Sequence, residues 1–142
     1  MYSVAGTIPL LVKANVPAIA PPHLFHYLAK CAVVVAVECA AADWGTRSDL
    51  AKIDHGPTRA CSLAEREVLW VLDGHCNSPI AGHAILSGDR ISLRAAVISL
   101  DGRDMIEATQ EGAADRPREL GRSVGLELLD KGAATIIEAA QL

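Results

Sequence analysis

Apolar and polar residues alternate with different periods along the chain, and each period predicts a different element. In residues 58–73 apolar side chains recur every three or four positions, which predicts a helix with one apolar face. That face consists of Ala60, Ala64, Val68, Val71 and Leu72. In residues 90–100 they recur at every second position, which predicts a strand. Its apolar residues are Ile91, Leu93, Ala95 and Val97.

Two further strands are predicted beside this one, at residues 80–86 and 103–110. Gly88-Asp89 and Asp101-Gly102 are turn sequences typical of hairpins, so the three strands run antiparallel. A helix follows, with Asp115 as the predicted N-cap and Glu119 in the region of a capping box. Its apolar residues are Leu120, Val124 and Leu128, and Gly121 and Gly125 would let another element approach closely.

That helix is predicted to end at Lys131 and Gly132, and a second short helix at residues 133–140 follows. The order is therefore helix, three antiparallel strands, helix, helix. This order predicts an α+β fold, in which a three-stranded antiparallel sheet is covered by helices on one face.

The N-terminal part is harder to interpret. The valine-rich residues 32–37 predict a strand buried on both faces, yet no second strand of that kind follows. Residues 1–30 show no steady period, although 23–30 could form two helical turns. In the connection at 40–57, Ser48 or Asp49 could cap a short helix. We therefore divide the chain into a poorly defined segment at 1–40 and a domain at 41–142, and expect 57–142 to be the stable unit.

The composition and net charge of the chain argue against some classes of function. Hydrophobic residues make up 51% of the 142 residues and charged residues 21%, which is typical of a soluble globular protein. The net charge of −4 and the 4% of aromatic residues argue against binding to nucleic acid. The apolar start of the chain is interrupted by Pro9, Lys13 and Pro17, so we expect no membrane span there.

The four cysteines are Cys31, Cys39, Cys61 and Cys76. None forms a C-x-x-C pair, and their scattered spacing favours a reducing compartment, so we expect a cytoplasmic protein. His75 and His83 lie near Cys76 in the sequence, but the spacing of a zinc site is absent. We therefore predict no metal.

Cys76 lies between Gly74, which can end a helix, and Pro79, which fixes the backbone before the next strand. This predicts a tight loop that presents Cys76 as a nucleophile or an attachment point. The alternative is a small apolar side chain that fills the loop. Trp70, shortly before the loop, is expected to pack at an edge.

Residues Ala64-Glu65-Arg66 and the run from Leu72 to Gly82 resemble porphobilinogen deaminase, also called hydroxymethylbilane synthase. In that family an A-E-R helix leads into L-E-G-G-C-x-x-P-I-G. The resemblance extends over roughly residues 33–140. The chain departs from the motif at His75, which replaces the second glycine, and at Ala81, which replaces the glycine after P-I.

The resemblance implies the small α+β third domain of a three-domain enzyme, together with the last strand of its first domain. Residues 32–37 would then belong to the sheet of an absent domain. Cys76 matches the cysteine that holds a dipyrromethane cofactor through a thioether. The family adds four porphobilinogen molecules with loss of ammonia, and so forms the hydroxymethylbilane of tetrapyrrole and heme biosynthesis.

The resemblance also implies what this chain lacks. The family's catalytic aspartate and most of its substrate-binding arginines lie in the first and second domains, so no catalytic residue is assigned here. Arg66 matches an arginine of the third domain and would form either a salt bridge or a substrate contact. We expect the isolated chain to be an inactive transferase fragment, with the missing domains as partners and porphobilinogen as substrate.

Two other interpretations remain open. The chain could be a non-catalytic module that keeps Cys76 to carry a pyrrole ligand. It could also be an α+β interaction domain in which Cys76 is inert.

Overall fold

Helices cover one face of a three-stranded antiparallel sheet, as the residue pattern predicts. The computed structural model describes residues 7–13, 34–75 and 78–140. In these ranges the strands are β1 (Thr7–Lys13), β2 (Val34–Ala40), β3 (Ile80–Ser87), β4 (Arg90–Ile98) and β5 (Met105–Ala113). The helices are α1 (Trp44–Ala51), α2 (Gly56–Val71), α3 (Pro117–Asp130) and α4 (Ala133–Ala139).

Strand β4 is central in the sheet and pairs antiparallel with β3 and β5. The predicted alternation is confirmed, because the four apolar residues of β4 have no exposed surface: Ile91, Leu93, Ala95 and Val97. Gly88 has a φ of 62° in the two-residue turn before β4. The second turn is longer than predicted, since Leu100 lies outside the strands and is 76% exposed.

Helices α2 and α3 pack closely because glycine occupies their contact. A Cβ atom on Gly125 would lie 2.7 Å from the Cβ of Val71, and one on Gly121 would collide with the carbonyl oxygen of Ala64. The predicted role of both glycines is therefore confirmed. Leu120, Val124 and Leu128 are buried in the core, and the predicted helix at the end of the chain is α4.

Two predicted helix caps are wrong. Helix α3 has Arg116, not Asp115, at its N-cap position, and no side chain caps it there. Helix α1 begins at Trp44, well before Ser48 and Asp49, because the Asp43 carboxylate accepts a hydrogen bond of 3.0 Å from the Thr46 N–H. Gly132 confirms the other prediction, since it takes a φ of 94° between α3 and α4.

Strand β2 lies outside the main sheet, in a two-stranded antiparallel sheet with β1. Strand β2 therefore has a neighbour within the chain, while its assignment to the sheet of an absent domain stays a prediction. Strand β1 was not predicted, because Pro9 interrupts its apolar pattern. It can form because proline is tolerated in an edge strand. Cys31 and the helical turns predicted at 23–30 lie outside the described residues. No helix in the described part of the chain is both long and apolar enough to span a bilayer.

Candidate functional site

The loop between α2 and β3 begins with a tightly capped helix end. Gly74 N–H donates to the Leu69 carbonyl at 2.8 Å, and Asp73 N–H donates to the Trp70 carbonyl at 3.3 Å. This pair of bonds is the Schellman arrangement, in which one residue takes a left-handed conformation. That residue is Asp73, with a φ of 50°, and not Gly74 as its sequence suggested.

Glycine is favoured at position 74 because the space around its Cα is small. A Cβ atom there would lie 2.8 Å from the Cδ1 of Ile80 and 3.3 Å from the Leu69 carbonyl oxygen. Gly74, just after α2, is therefore in contact with Ile80, the first residue of β3. This contact holds the two flanking elements at a short separation.

The loop is closed by His75 and Ser78. The His75 N–H donates to the Ser78 hydroxyl oxygen at 2.8 Å, and the Ser78 N–H donates to the His75 carbonyl at 3.0 Å. The predicted site residue Cys76 and its neighbour Asn77 lie between them, outside the described residues. The structure thus describes both ends of the predicted site but leaves its cysteine a prediction.

The far end of the loop is attached to the sheet. The Ile98 N–H at the end of β4 donates to the Pro79 carbonyl at 3.0 Å. Ile80 N–H donates to the Ser78 carbonyl at 2.8 Å as β3 begins. One end of the loop is therefore bonded to α2 and the other end to β4. The loop is a short chain that bridges these two packed elements.

Arg66 and Trp70 lie one helical turn apart on α2, and both are exposed. Trp70 is 78% exposed, so the expectation that it packs at an edge is wrong. Arg66 forms no ion pair with any described residue. The salt bridge beside this helix is formed by Glu67 instead, whose carboxylate lies 3.0 Å from the Arg118 guanidinium.

Glu65 has a role that the sequence did not indicate. Its Oε1 accepts a hydrogen bond of 2.7 Å from the Ala84 N–H on the outer edge of β3, and its side chain is only 13% exposed. The Nδ1 atom of His83 lies 3.9 Å from the same oxygen. Glu65 therefore covers a sheet edge that could otherwise pair with another strand. The contact joins residues 19 positions apart, so no local pattern could have revealed it.

We next consider whether side chains that could bind a metal are grouped among the described residues. No three side chains of His, Cys, Asp or Glu among them are grouped so that they could hold a metal ion. Cys39 and Cys61 are both half-buried thiols, in β2 and α2 respectively. Neither lies in the loop that the sequence singled out.

Comparison with known proteins matches the same region. The family description "Porphobilinogen deaminase, C-terminal domain" matches residues 59–130, which run from α2 through the loop and the sheet to the end of α3. Porphobilinogen deaminase of Corynebacterium glutamicum is 42% identical over 106 residues, which are 72% of this chain and 35% of the relative. The enzyme of Coxiella burnetii is 38% identical over 103 residues, 72% of this chain and 34% of the relative.

A third relative, porphobilinogen deaminase of Desulforudis audaxviator, is 41% identical over 101 residues, 71% of this chain and 33% of the relative. The chain therefore spans about a third of the length of these curated relatives. The family description covers just over half of the chain and includes the loop, the sheet and both helices packed on it. The chain belongs to the porphobilinogen deaminase family and contains its C-terminal domain.

Proposed function

We propose that this chain is the cofactor-attachment part of a porphobilinogen deaminase, and that Cys76 carries dipyrromethane through a thioether. The supporting observation is the loop that is bonded to α2 through Gly74 and to β4 through Pro79. Cys76, which follows His75 in the sequence of this loop, is the residue that matches the family's anchoring cysteine by resemblance. A loop carried by two packed elements suits an anchor that must stay in place while a chain of pyrroles grows.

The described residues fit such a group in two respects. His75, which precedes the proposed attachment residue, is exposed to solvent. Arg66 is an exposed cation on the helix that leads into the loop, and no described carboxylate neutralises it. A guanidinium of this kind binds carboxylates, and the pyrroles of this pathway carry acetate and propionate groups.

Attachment of dipyrromethane to the Cys76 thiol needs porphobilinogen and no further reagent. The thiol S–H and the aminomethyl C–N bond of one porphobilinogen are exchanged for a thioether C–S bond and ammonia. A second porphobilinogen then exchanges its aminomethyl C–N bond and the free α C–H of the first pyrrole for a C–C bond and a second ammonia, which completes the dipyrromethane. When bound, dipyrromethane supplies the primer to which four further pyrrole units are added. The contribution of this chain is to hold the anchor, while Glu65, on the helix before the loop, accepts the Ala84 N–H.

The complete reaction, the synthesis of hydroxymethylbilane in the cytoplasm, then requires partner domains. The catalytic aspartate and most of the substrate-binding arginines of the family belong to the two domains that this chain does not match. Without a preorganised acid and a charge clamp, loss of ammonia has no electrostatic support. We propose that the isolated chain does not turn over porphobilinogen.

The test is the intact mass of the chain after expression in a cell that produces porphobilinogen. A second polypeptide, comprising the two-thirds of the Corynebacterium glutamicum relative that precede the matched part, is expressed with it. We expect the wild-type chain and the control Cys39→Ala to carry the mass of a dipyrromethane and to colour with Ehrlich's reagent. Cys76→Ala should carry none.

An unmodified wild-type chain, or a modification that persists in Cys76→Ala, would contradict the anchor. A loaded chain that forms no tetrapyrrole with its companion would favour the pyrrole-binding module. An unmodified chain that binds the companion polypeptide would favour an interaction domain with an inert Cys76.

A further inference from the structure

Ser78 makes more bonds to the loop than the family motif requires. Its hydroxyl accepts the His75 N–H at 2.8 Å, while its own N–H donates to the His75 carbonyl at 3.0 Å. Ser78 thus satisfies both backbone polar groups of His75. An alanine here could form only the second of these bonds, and the motif C-x-x-P leaves this position unspecified.

The two bonds join segments that are already held from opposite sides. The chain before His75 is bonded to α2 through the Gly74 N–H, and the chain after Ser78 is bonded to β4 through the Pro79 carbonyl. Ser78 itself is half-buried, and its carbonyl accepts the Ile80 N–H. The His75–Ser78 pair is therefore the link that closes the loop between a helix and a sheet.

We propose that Ser78 is a positioning residue of the attachment loop. Its hydroxyl fixes the separation and orientation of the two chain ends between which Cys76 is attached. This inference rests on the proposed function of Cys76 as the anchor. Attachment needs the sulfur in one orientation relative to the companion domains, so fixing the chain ends on either side of Cys76 accelerates it.

The test compares Ser78→Ala, which removes the hydroxyl, with Ser78→Thr, which keeps it. Ser123→Ala is the matched control, because Ser123 is exposed on α3, away from the loop. Each variant is expressed with the companion polypeptide, and intact mass follows the rate at which dipyrromethane is attached. Hydrogen exchange of the His75 amide reports the bond directly.

Ser78→Ala should attach dipyrromethane about three- to tenfold more slowly and exchange the His75 amide faster by a similar factor, the range expected for one hydrogen bond. Ser78→Thr and Ser123→Ala should match the wild type. The midpoint of thermal unfolding and the alkylation of half-buried Cys61 should stay unchanged in all three, because a general loosening of the fold would alter both.

The outcomes distinguish a failure of the positioning role of Ser78 from a failure of the anchor role of Cys76. If the wild type and Ser78→Ala are loaded at equal rates, the positioning role is overturned and the anchor stands. The same holds if Ser78→Thr is as slow as Ser78→Ala. If the wild type takes up no dipyrromethane, the anchor itself falls and the positioning role falls with it.

Discussion

Helices α1 and α3 have similar proportions of apolar residues, but only α3 packs its apolar residues into the core. Five residues of α3 are buried against α2 and the sheet, whereas no residue of α1 is buried. Trp44, the largest side chain of α1, is 73% exposed and stacks only beneath the Arg47 guanidinium, 4.3 Å away. Among the residues whose burial the structure describes, every buried apolar residue lies between Ala64 and Ile137.

The contrast shows that a well-capped helix is not necessarily part of a core. Asp43 caps α1 through two bonds to Thr46, while α3 has no side-chain cap at all. Most helix stability in proteins comes from packing an apolar face and not from capping. In the described part of the chain the sheet β1–β2 has two strands, and such sheets are marginally stable in water. We therefore expect residues 57–142 to carry the stability of the chain.

The largest expected difference between the two regions is in their resistance to protease. Local opening costs almost nothing where little is buried and approaches the full unfolding free energy in a core. Trypsin should therefore cleave after Lys13 and Lys52 at least about a hundredfold faster than at sites within 59–131. The measurement is mass spectrometry of timed digests.

Equal cleavage rates in both regions would show that β1, β2 and α1 belong to the same cooperative unit as the sheet. Repeating the digest at several protein concentrations is the control for association. A fragment that begins near residue 53 and persists is the expected product.

The same substitution should have opposite effects in the two regions. Gly121→Ala forces a Cβ into the Ala64 carbonyl oxygen, and we expect it to lower the unfolding free energy by about 1–3 kcal/mol. Gly45→Ala adds a Cβ whose nearest neighbour, an Asp43 oxygen, lies 3.6 Å away. It should leave the stability unchanged or raise it by up to about 0.5 kcal/mol through helix propensity. Urea denaturation measures both.

If Gly121→Ala were neutral, α2 and α3 would have to separate at no cost, and the close packing of the two helices would be wrong. If Gly45→Ala were strongly destabilising, α1 would be packed against a neighbour.

The smallest expected effect concerns two carboxylates. Hydrogen bonds from Lys131 and then Gln110 lower the pKa of Glu127 below its ordinary value of 4.5. Bonds from Thr46 lower the pKa of Asp43 below 3.8. Because each pKa is depressed in the folded protein, each carboxylate stabilises it above the ordinary pKa, and this contribution is lost as the pH falls through the folded pKa.

Glu127 connects α3 to β5, whereas Asp43 connects only the first turn of α1. Glu127→Gln should therefore lower the midpoint of thermal unfolding by a few degrees or less at pH 7, and the difference from wild type should shrink as the pH falls below the ordinary pKa of 4.5. Asp43→Ala should leave that midpoint unchanged. A difference for Glu127→Gln that persists at pH 3 would mean that the carboxylate charge is not its cause.

Much of the main sheet and its helices could be predicted because the determining signals are local. The spacing of Ala64, Val68 and Leu72 shows the face of α2 that is buried, and the alternation in β4 shows which residues meet it. Gly88 and Gly132 mark turns because both take a positive φ there. The candidate loop could be located in the same way, from Gly74 and Pro79 on either side of Cys76.

The errors fall where several residues compete for one role. Ser48, Asp49 and Asp115 are all good caps by type, but position relative to the first helical turn decides which side chain can reach a free N–H. Asp43 reaches one and the others do not. At the loop, Gly74 looked like the left-handed residue, yet contact with Ile80 requires its small size and Asp73 takes the positive φ.

The sequence by itself determined the fold class, the face of each core element and the family, because periodicity and a continuous motif are properties of neighbouring residues. Only the tertiary structure decided that Glu65 covers the edge of β3, that Pro79 is bonded to β4 and that β1 pairs with β2. Each of these contacts joins residues far apart in the chain. Their partners are chosen by the packing of the helices on the sheet, which no local pattern encodes.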